Sequence, residues 1–283
     1  MTNPNNQQNK ALQFHQLHHS GKMLVLPNIW DTLGAQLLES LHYPAIATAS
    51  ASISFTNGYN DGENIPFNDF LTNLNKIVKS VNIPVTADIE SGYASNDQQL
   101  KDNIKQLIAT GIVGINIEDS DKKNNELLPT EIQCNRIRII KNVAAEMGIS
   151  LFINARTDVY IHGKGFETAE SKLEETIKRG LAYKSAGADC FYPITVRLEQ
   201  DIQKIVEELK MPVNILTIAG IPELKRLQEI GVARVSLGPS FLKIAIRAMK
   251  NMAEKLKNLE GLSEIAGNEI TSEYLKDLVN NKY

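Results

Sequence analysis

The amino-acid sequence predicts an α/β fold of the (β/α)8 TIM-type barrel class, on three observations. Short apolar runs alternate eight times with longer segments of helical period, glycines close four of those segments, and acidic residues gather where successive apolar runs end. An open doubly wound sheet commonly uses fewer strands, so eight repeats favour the barrel. With 283 residues, 42% of them hydrophobic, the chain can fill one domain of that size.

The elements follow in order. Residues 1–22 precede the barrel: MTNPNNQQNK is polar with nothing to bury and reads as a mobile tail, and ALQFHQLHHSG reads as a short amphipathic helix with a glycine stop. His15, His18 and His19 lie at near-helical spacing with no acid or cysteine beside them, so they read as a solvated helix face rather than a metal site. The barrel spans 23–250. Strand one is MLVLPNI, followed by a helix opened by Asp31; strand two is PAIATAS, followed by the long loop ASISFTNGYNDGENIP and the helix FNDFLTNLNKIVKSV. Strand three is PVTADIE with helix DQQLKDNIKQLIATG, and strand four is VGINIED, with the polar loop SDKKNNELLP before its helix. Strand five is SLFINARTDVY, strand six ADCFYPI, strand seven MPVNILT and strand eight ARVSLGP, each with a helix behind it, the last starting at Ser240. Glycines 111, 148, 187 and 231 sit where left-handed helix caps belong. Residues 251–283 form an extension, whose stretch from Leu262 to Tyr283 predicts one or two helices outside the barrel, against a partner subunit.

Bulk properties narrow the function. A formal net charge of -3 and a pI near 6.0 give no electrostatic reason to expect nucleic acid or an anionic membrane as partner, so a small molecule fits better. Cys134 and Cys190 belong to no CxxC or Cys/His pattern and read as ordinary buried thiols of a reduced compartment. No signal-peptide pattern opens the chain and no apolar run approaches the ~18 residues of a membrane span, so a cytoplasmic setting is expected.

In a barrel of this kind chemistry gathers at the carboxyl ends of the strands. Strand three delivers Asp88 and Glu90, two residues apart and therefore expected on one side, roughly 6.6 Å apart along the chain. Two acids aimed together are costly unless a cation or proton lies between them. Asp61 comes from the loop after strand two, Glu118 and Asp119 from strand four, and Arg156 and Asp158 from strand five, while Trp30, Tyr192, Asn214 and Ser236 line the pocket. A hard cation such as Mg²⁺ takes oxygen ligands and keeps several waters, so a few carboxylates suffice, and Arg156 can hold a substrate carboxylate or phosphonate with its fork of donors. The competing arrangement is an interior ion pair between Glu118 and Arg156, with Asp88 capping a turn.

The TNGYNDGE loop, TADIESGY, GINIEDS and INARTDVY, in this order and at these strand ends, resemble the isocitrate lyase and phosphoenolpyruvate mutase superfamily over residues 22–250. The resemblance implies a barrel whose eighth helix is exchanged between subunits of a homo-oligomer, usually a dimer of dimers, and a Mg²⁺ or Mn²⁺ cofactor. It implies Asp88 as main metal ligand, with Glu90, Glu118 and Asp61 holding the ion directly or through water. It also implies Arg156 on the substrate carboxylate, with Ser50 and Ala51 cradling the substrate's oxygens and Asn214 in the substrate pocket. The chain departs from the pattern in the loop after strand four, which lacks the Lys-Lys-Cys-Gly-His motif of the lyases. There Lys122, Lys123, Asn124 and Asn125 keep the residue types of the mutases but not their spacing. Pro193-Ile194 stands where a mutase-type histidine or lyase-type glutamate belongs, and NILTIAG replaces the lyase Asn-x-Thr segment.

The function implied is a Mg²⁺-dependent lyase-type enzyme acting on a small 2-oxo or 2-hydroxy carboxylate through an enolate, with Arg156, Lys122 and Lys123 as catalytic candidates. The alternatives are a phosphonate mutase or hydrolase, and a non-catalytic carboxylate-binding protein.

Overall fold

The computed structural model of the protein describes residues 4–122, 124, 126–162 and 164–281. Helix α1 (Pro4–His18) comes first, then β1 (Leu24–Leu26), β2 (Asn28–Ile29), α2 (Thr32–Ser40), β3 (Ile46–Thr48), α3 (Ser50–Thr56) and α4 (Phe67–Lys79). Next come β4 (Val85–Asp88), α5 (Asp97–Ala109), β5 (Gly114–Glu118), the short strands β6 (Ser120–Asp121) and β7 (Glu126–Leu127), α6 (Thr130–Glu146) and β8 (Phe152–Thr157). The chain ends through α7 (Ala169–Ala186), β9 (Cys190–Pro193), α8 (Glu199–Leu209), β10 (Asn214–Leu216), α9 (Leu224–Ile230), β11 (Arg234–Ser236), α10 (Ser240–Lys257), α11 (Leu262–Ala266) and α12 (Ser272–Val279).

The expected strand–helix alternation is present, and the strands pair in parallel in the order β2-β3-β4-β5-β8-β9 and β1-β11-β10. Strand one is divided at Pro27: β1 pairs with β11 and β2 with β3. A parallel bridge between Phe191 and Val213 joins β9 to the segment that leads into β10. Parallel strands need both faces covered. The fold is accordingly a TIM-barrel-like α/β arrangement, with Ile115, Ile117, Ile153 and Ala155 of the central strands fully buried in the apolar core.

Local chemistry sets the helix ends. Asp31 accepts a hydrogen bond from the Gly34 amide at 2.7 Å to open α2, Asn96 does the same for Gln99 at 2.9 Å to open α5, and Thr168 and Ser171 form a capping box on α7. Gly187 and Gly231 close α7 and α9 in the left-handed conformation, as their spacing predicts.

Three local expectations are corrected. The polar N-terminal stretch is helical from Pro4 rather than a loose tail, because the Gln7 amide donates to the carbonyls of Ile108 and Ile112 at 2.9 and 2.8 Å and so holds the helix against the end of α5. His18 does not face solvent: it is buried, stacks on Phe152 with ring centroids 4.1 Å apart, and donates or accepts through Nδ1 with the Phe14 carbonyl at 2.8 Å. The loop after strand two contains α3, and the loop after strand four contains the antiparallel pair β6 and β7. Among the described residues no helix is long and apolar enough to cross a membrane.

Helix α10 stands apart. Of its 18 residues only Leu242 is buried, while Ile244, Ile246, Met249 and Leu256 are exposed.

Candidate active site

The carboxyl ends of β4, β5 and β8 lie side by side, with Asp88 opposite Asn116 and Glu118 opposite Arg156 in the strand register. Pairing alone therefore brings Glu118 and Arg156 together, and Nη1 of Arg156 lies 2.8 Å from Glu118 Oε2. The interior ion pair weighed from the sequence exists, but it leaves the other acids in place. Asp88 ends β4 and accepts from the Ser50 hydroxyl at 3.3 Å. Ser50 and Ala51 open α3, where amide groups have no partner one turn earlier in the helix.

Glu90 reaches the site by a route that strand periodicity does not describe. β4 stops at Asp88, and Glu90 takes a left-handed φ of 52°, followed by Gly92 at 90° and Tyr93 at 53°. The two acids are thus not neighbours on one strand face; Glu90 is turned into the site by the backbone. Its carboxylate is buried and meets the Lys122 ammonium at 3.2 Å, and the same ammonium touches Glu118.

Burial disfavours the charged form of these acids. It pushes the Glu90 carboxyl up to about 8, with Lys122 opposing and Asp61 and Asp88 adding to the rise. It pushes Glu118 up to about 7 against the pull of Arg156, and it raises Asp88 likewise. For Lys122, burial disfavours the charge, yet the two glutamates override it and raise the ammonium above its usual range. Glu90 Oε2 and Glu118 Oε1 both meet the Lys122 ammonium, while Glu90 Oε1 has no hydrogen-bond partner among the described residues.

Asp158 orients Arg156. The Nε and Nη2 groups of the arginine donate to its two oxygens at 2.6 and 2.9 Å, so one edge of the guanidinium is held and Nη1 is turned toward Glu118. Burial works against the Asp158 charge, but Arg156 and Ser120 hold the carboxyl below its usual range.

Asp61 is exposed in the turn after α3, and its charge is felt at Asp88 and Glu90. Asn214 lies inside the strands rather than at the rim: its Oδ1 accepts from Ser236 at 3.1 Å and its buried Nδ2 has no partner. Lys123 lies outside the described residues.

Sequence reasoning missed Arg234. It is wholly buried on β11, donates to Ser236 at 3.2 Å, reaches Asn116 on β5 at 3.5 Å, and enters no ion pair among the described residues. A charged residue at an inward position of an apolar run was the signal available. Beside the acids a cleft of about 660 Å³ opens, walled by Tyr93, Leu128, Ile132 and Arg136, with Lys122 on its edge.

No three acidic, histidine or cysteine side chains among the described residues close around one point. The donor set nevertheless fits a hydrated hard cation: it is all carboxylate oxygen, Glu90 and Glu118 already face one common cation in the Lys122 ammonium, and Mg²⁺ needs few protein ligands because it keeps its waters.

Comparison with known proteins gives this geometry its family. The family model described as phosphoenolpyruvate phosphomutase matches residues 14–257. The chain belongs to that family. Within the family it is 31% identical over 251 residues to the uncharacterized protein Rv1998c of Mycobacterium tuberculosis (strain ATCC 25618 / H37Rv), covering 89% of this chain and 91% of the relative. A crystal structure from Burkholderia cenocepacia J2315, provisionally described as a phosphonomutase, superposes with a TM-score of 0.84 at 32% identity over 88% of this chain and 99% of its own. A phosphonopyruvate hydrolase solved with oxalate and Mg²⁺ shares the fold, with a TM-score of 0.83 at 21% identity over 96% of this chain and 95% of its own. Curated relatives in this phosphomutase and isocitrate lyase superfamily are lyases and decarboxylases, and the protein is an enzyme of that superfamily.

Proposed function

We propose that the protein is a Mg²⁺- or Mn²⁺-dependent lyase-type enzyme that cleaves, decarboxylates or hydrolyses a small 2-oxo or 2-hydroxy carboxylate through an enolate. The observation that carries this reading is the convergence of Asp88, Glu90 and Glu118 with Arg156 at three adjacent strand ends, where these acids and Asp158 outnumber the cations Arg156 and Lys122. Asp88 is the main ligand of the ion, with Glu90, Glu118 and Asp61 acting directly or through water. When bound, the divalent ion supplies Lewis acidity for the charge that develops on the enolate oxygen.

The chain's own groups do the rest. Arg156, steadied by Asp158, offers Nη1 to the substrate carboxylate in exchange for Glu118. Ser50 and Ala51 offer a hydroxyl and free amides to the substrate's oxygens. Asn214 lines the floor, and Lys122 and Lys123 bring positive charge from the β6–β7 segment. The reading extends to a closed barrel of 23–250 whose eighth helix is exchanged with a partner in a dimer of dimers, flanked by 1–22 and by a 251–283 extension. The exposed apolar side of α10 and the pairings on both sides of Pro27 support this. A cytoplasmic setting completes the proposal.

Isothermal calorimetry tests it. The protein binds Mn²⁺ together with oxalate, an enolate mimic, and Asp88→Ala abolishes binding; no binding by the wild type and none by a variant without the Lys122 ammonium overturns the reading. Lys122 reaching into the acids favours a second reading, phosphonate chemistry, in which a cation steadies the transferred phosphoryl group. Phosphoenolpyruvate or free phosphate formed from phosphonopyruvate, followed by ³¹P NMR, decides for it.

A further inference from the structure

Glu90 and Glu118 come from different parts of the chain and converge on one cation. That cation is itself part of the chain. The Lys122 ammonium lies 3.2 Å from Glu90 Oε2 and touches Glu118 Oε1, filling the space between two side chains that are 3% and 1% exposed. Its own side chain is 30% exposed, so the stem runs in from outside and only the head is inserted. Lys122 lines the cleft of about 660 Å³ beside the site, which gives the side chain somewhere to go.

We propose that Lys122 is a built-in place-holder for the divalent ion: its ammonium and the metal compete for the gap between Glu90 and Glu118, and metal loading expels Lys122 into the adjoining cleft. This rests on the metal reading given above. Two cations a few ångströms apart in a buried site repel strongly, so the seat holds one or the other. The place-holder offsets part of the charge of two buried carboxylates when metal is scarce, which a bare acid cluster cannot do. It also weakens metal binding below what the acids alone would give, and it ties the position of Lys122 to whether the site is loaded.

The test is Mn²⁺ affinity, read from the EPR signal of the free ion, in full-length wild type, Lys122→Met and Lys122→Gln, with thermal unfolding to establish that each variant is folded. The expected result is a Kd lower by about tenfold or more in both variants, since each removes the competitor and leaves every carboxylate. Binding by Lys122→Met with none by the wild type supports the proposal most strongly. Equal or weaker binding in folded variants, with the wild type binding, overturns the place-holder and leaves the metal site standing. No binding by any of the three overturns the metal reading itself.

Discussion

Glu118 and Asp119 are adjacent in sequence and point to opposite sides of the same chain. Glu118 faces the site and pairs with Arg156, whereas Asp119 is wholly buried behind it. There Asp119 accepts from Thr157 at 2.7 Å, the Asp158 amide at 2.9 Å, Arg179 at 2.9 Å and Tyr183 at 2.6 Å. One acid faces the candidate site and the other holds the segment that carries Arg156 and Asp158.

The two therefore separate on mutation. Asp119→Ala leaves Arg179 and Tyr183 without their shared acceptor and is expected to destabilise the fold by about 3 kcal/mol. Glu118→Gln is expected to weaken Mn²⁺ binding with a much smaller stability loss. Urea unfolding and Mn²⁺ titration of the two variants check this; similar losses of both properties in both variants would contradict it.

Arg156 is expected to resist conservative replacement. Lysine cannot donate twice to Asp158 and still reach Glu118 or a substrate. Arg156→Lys should lower oxalate affinity in the presence of Mn²⁺ by about tenfold or more, and Arg156→Gln by about a hundredfold. Calorimetry gives both values, and an undiminished affinity would remove Arg156 from the carboxylate site.

His18 gives a pH dependence of known sign. Burial, with Arg234 adding to it, holds the imidazole down to about 3, below its ordinary 6.5. Between those values the unfolded chain binds the proton and the folded one does not, so this contribution is complete above pH 6.5 and lost as pH falls toward 3. The slope is at most about 1.4 kcal/mol per pH unit. Denaturant unfolding of wild type and His18→Leu from pH 7 to 4 should show the wild type losing more stability, and parallel curves would refute it.

Helix α10 carries Ile246 and Met249 three residues apart, both more than half exposed. Ile246→Glu with Met249→Glu is expected to reduce the oligomeric mass measured by light scattering without altering far-ultraviolet circular dichroism. An unchanged mass would remove α10 from any subunit contact.

The strands and helices were readable from periodicity because each repeat buries an apolar face, and the motif acids were readable because charge at a strand end is conspicuous. Periodicity could not place Glu90, whose left-handed backbone lies outside any strand pattern. Nor could it show that His18 is buried, since a stack on Phe152 depends on where α1 packs. The roles of Asp158 and Lys122 likewise emerge only when separate strand ends are brought within hydrogen-bond reach.

The left-handed turn at Glu90 sets stability and chemistry against each other at a single position. A non-glycine residue held at φ 52° costs on the order of 1 kcal/mol or more, and its buried carboxylate adds to that cost. Glycine at 90 would relieve both, so selection for thermal tolerance alone would remove the acid. On the metal reading its presence is a trade-off, in which the fold is kept less stable than it could be by a group proposed to hold the ion.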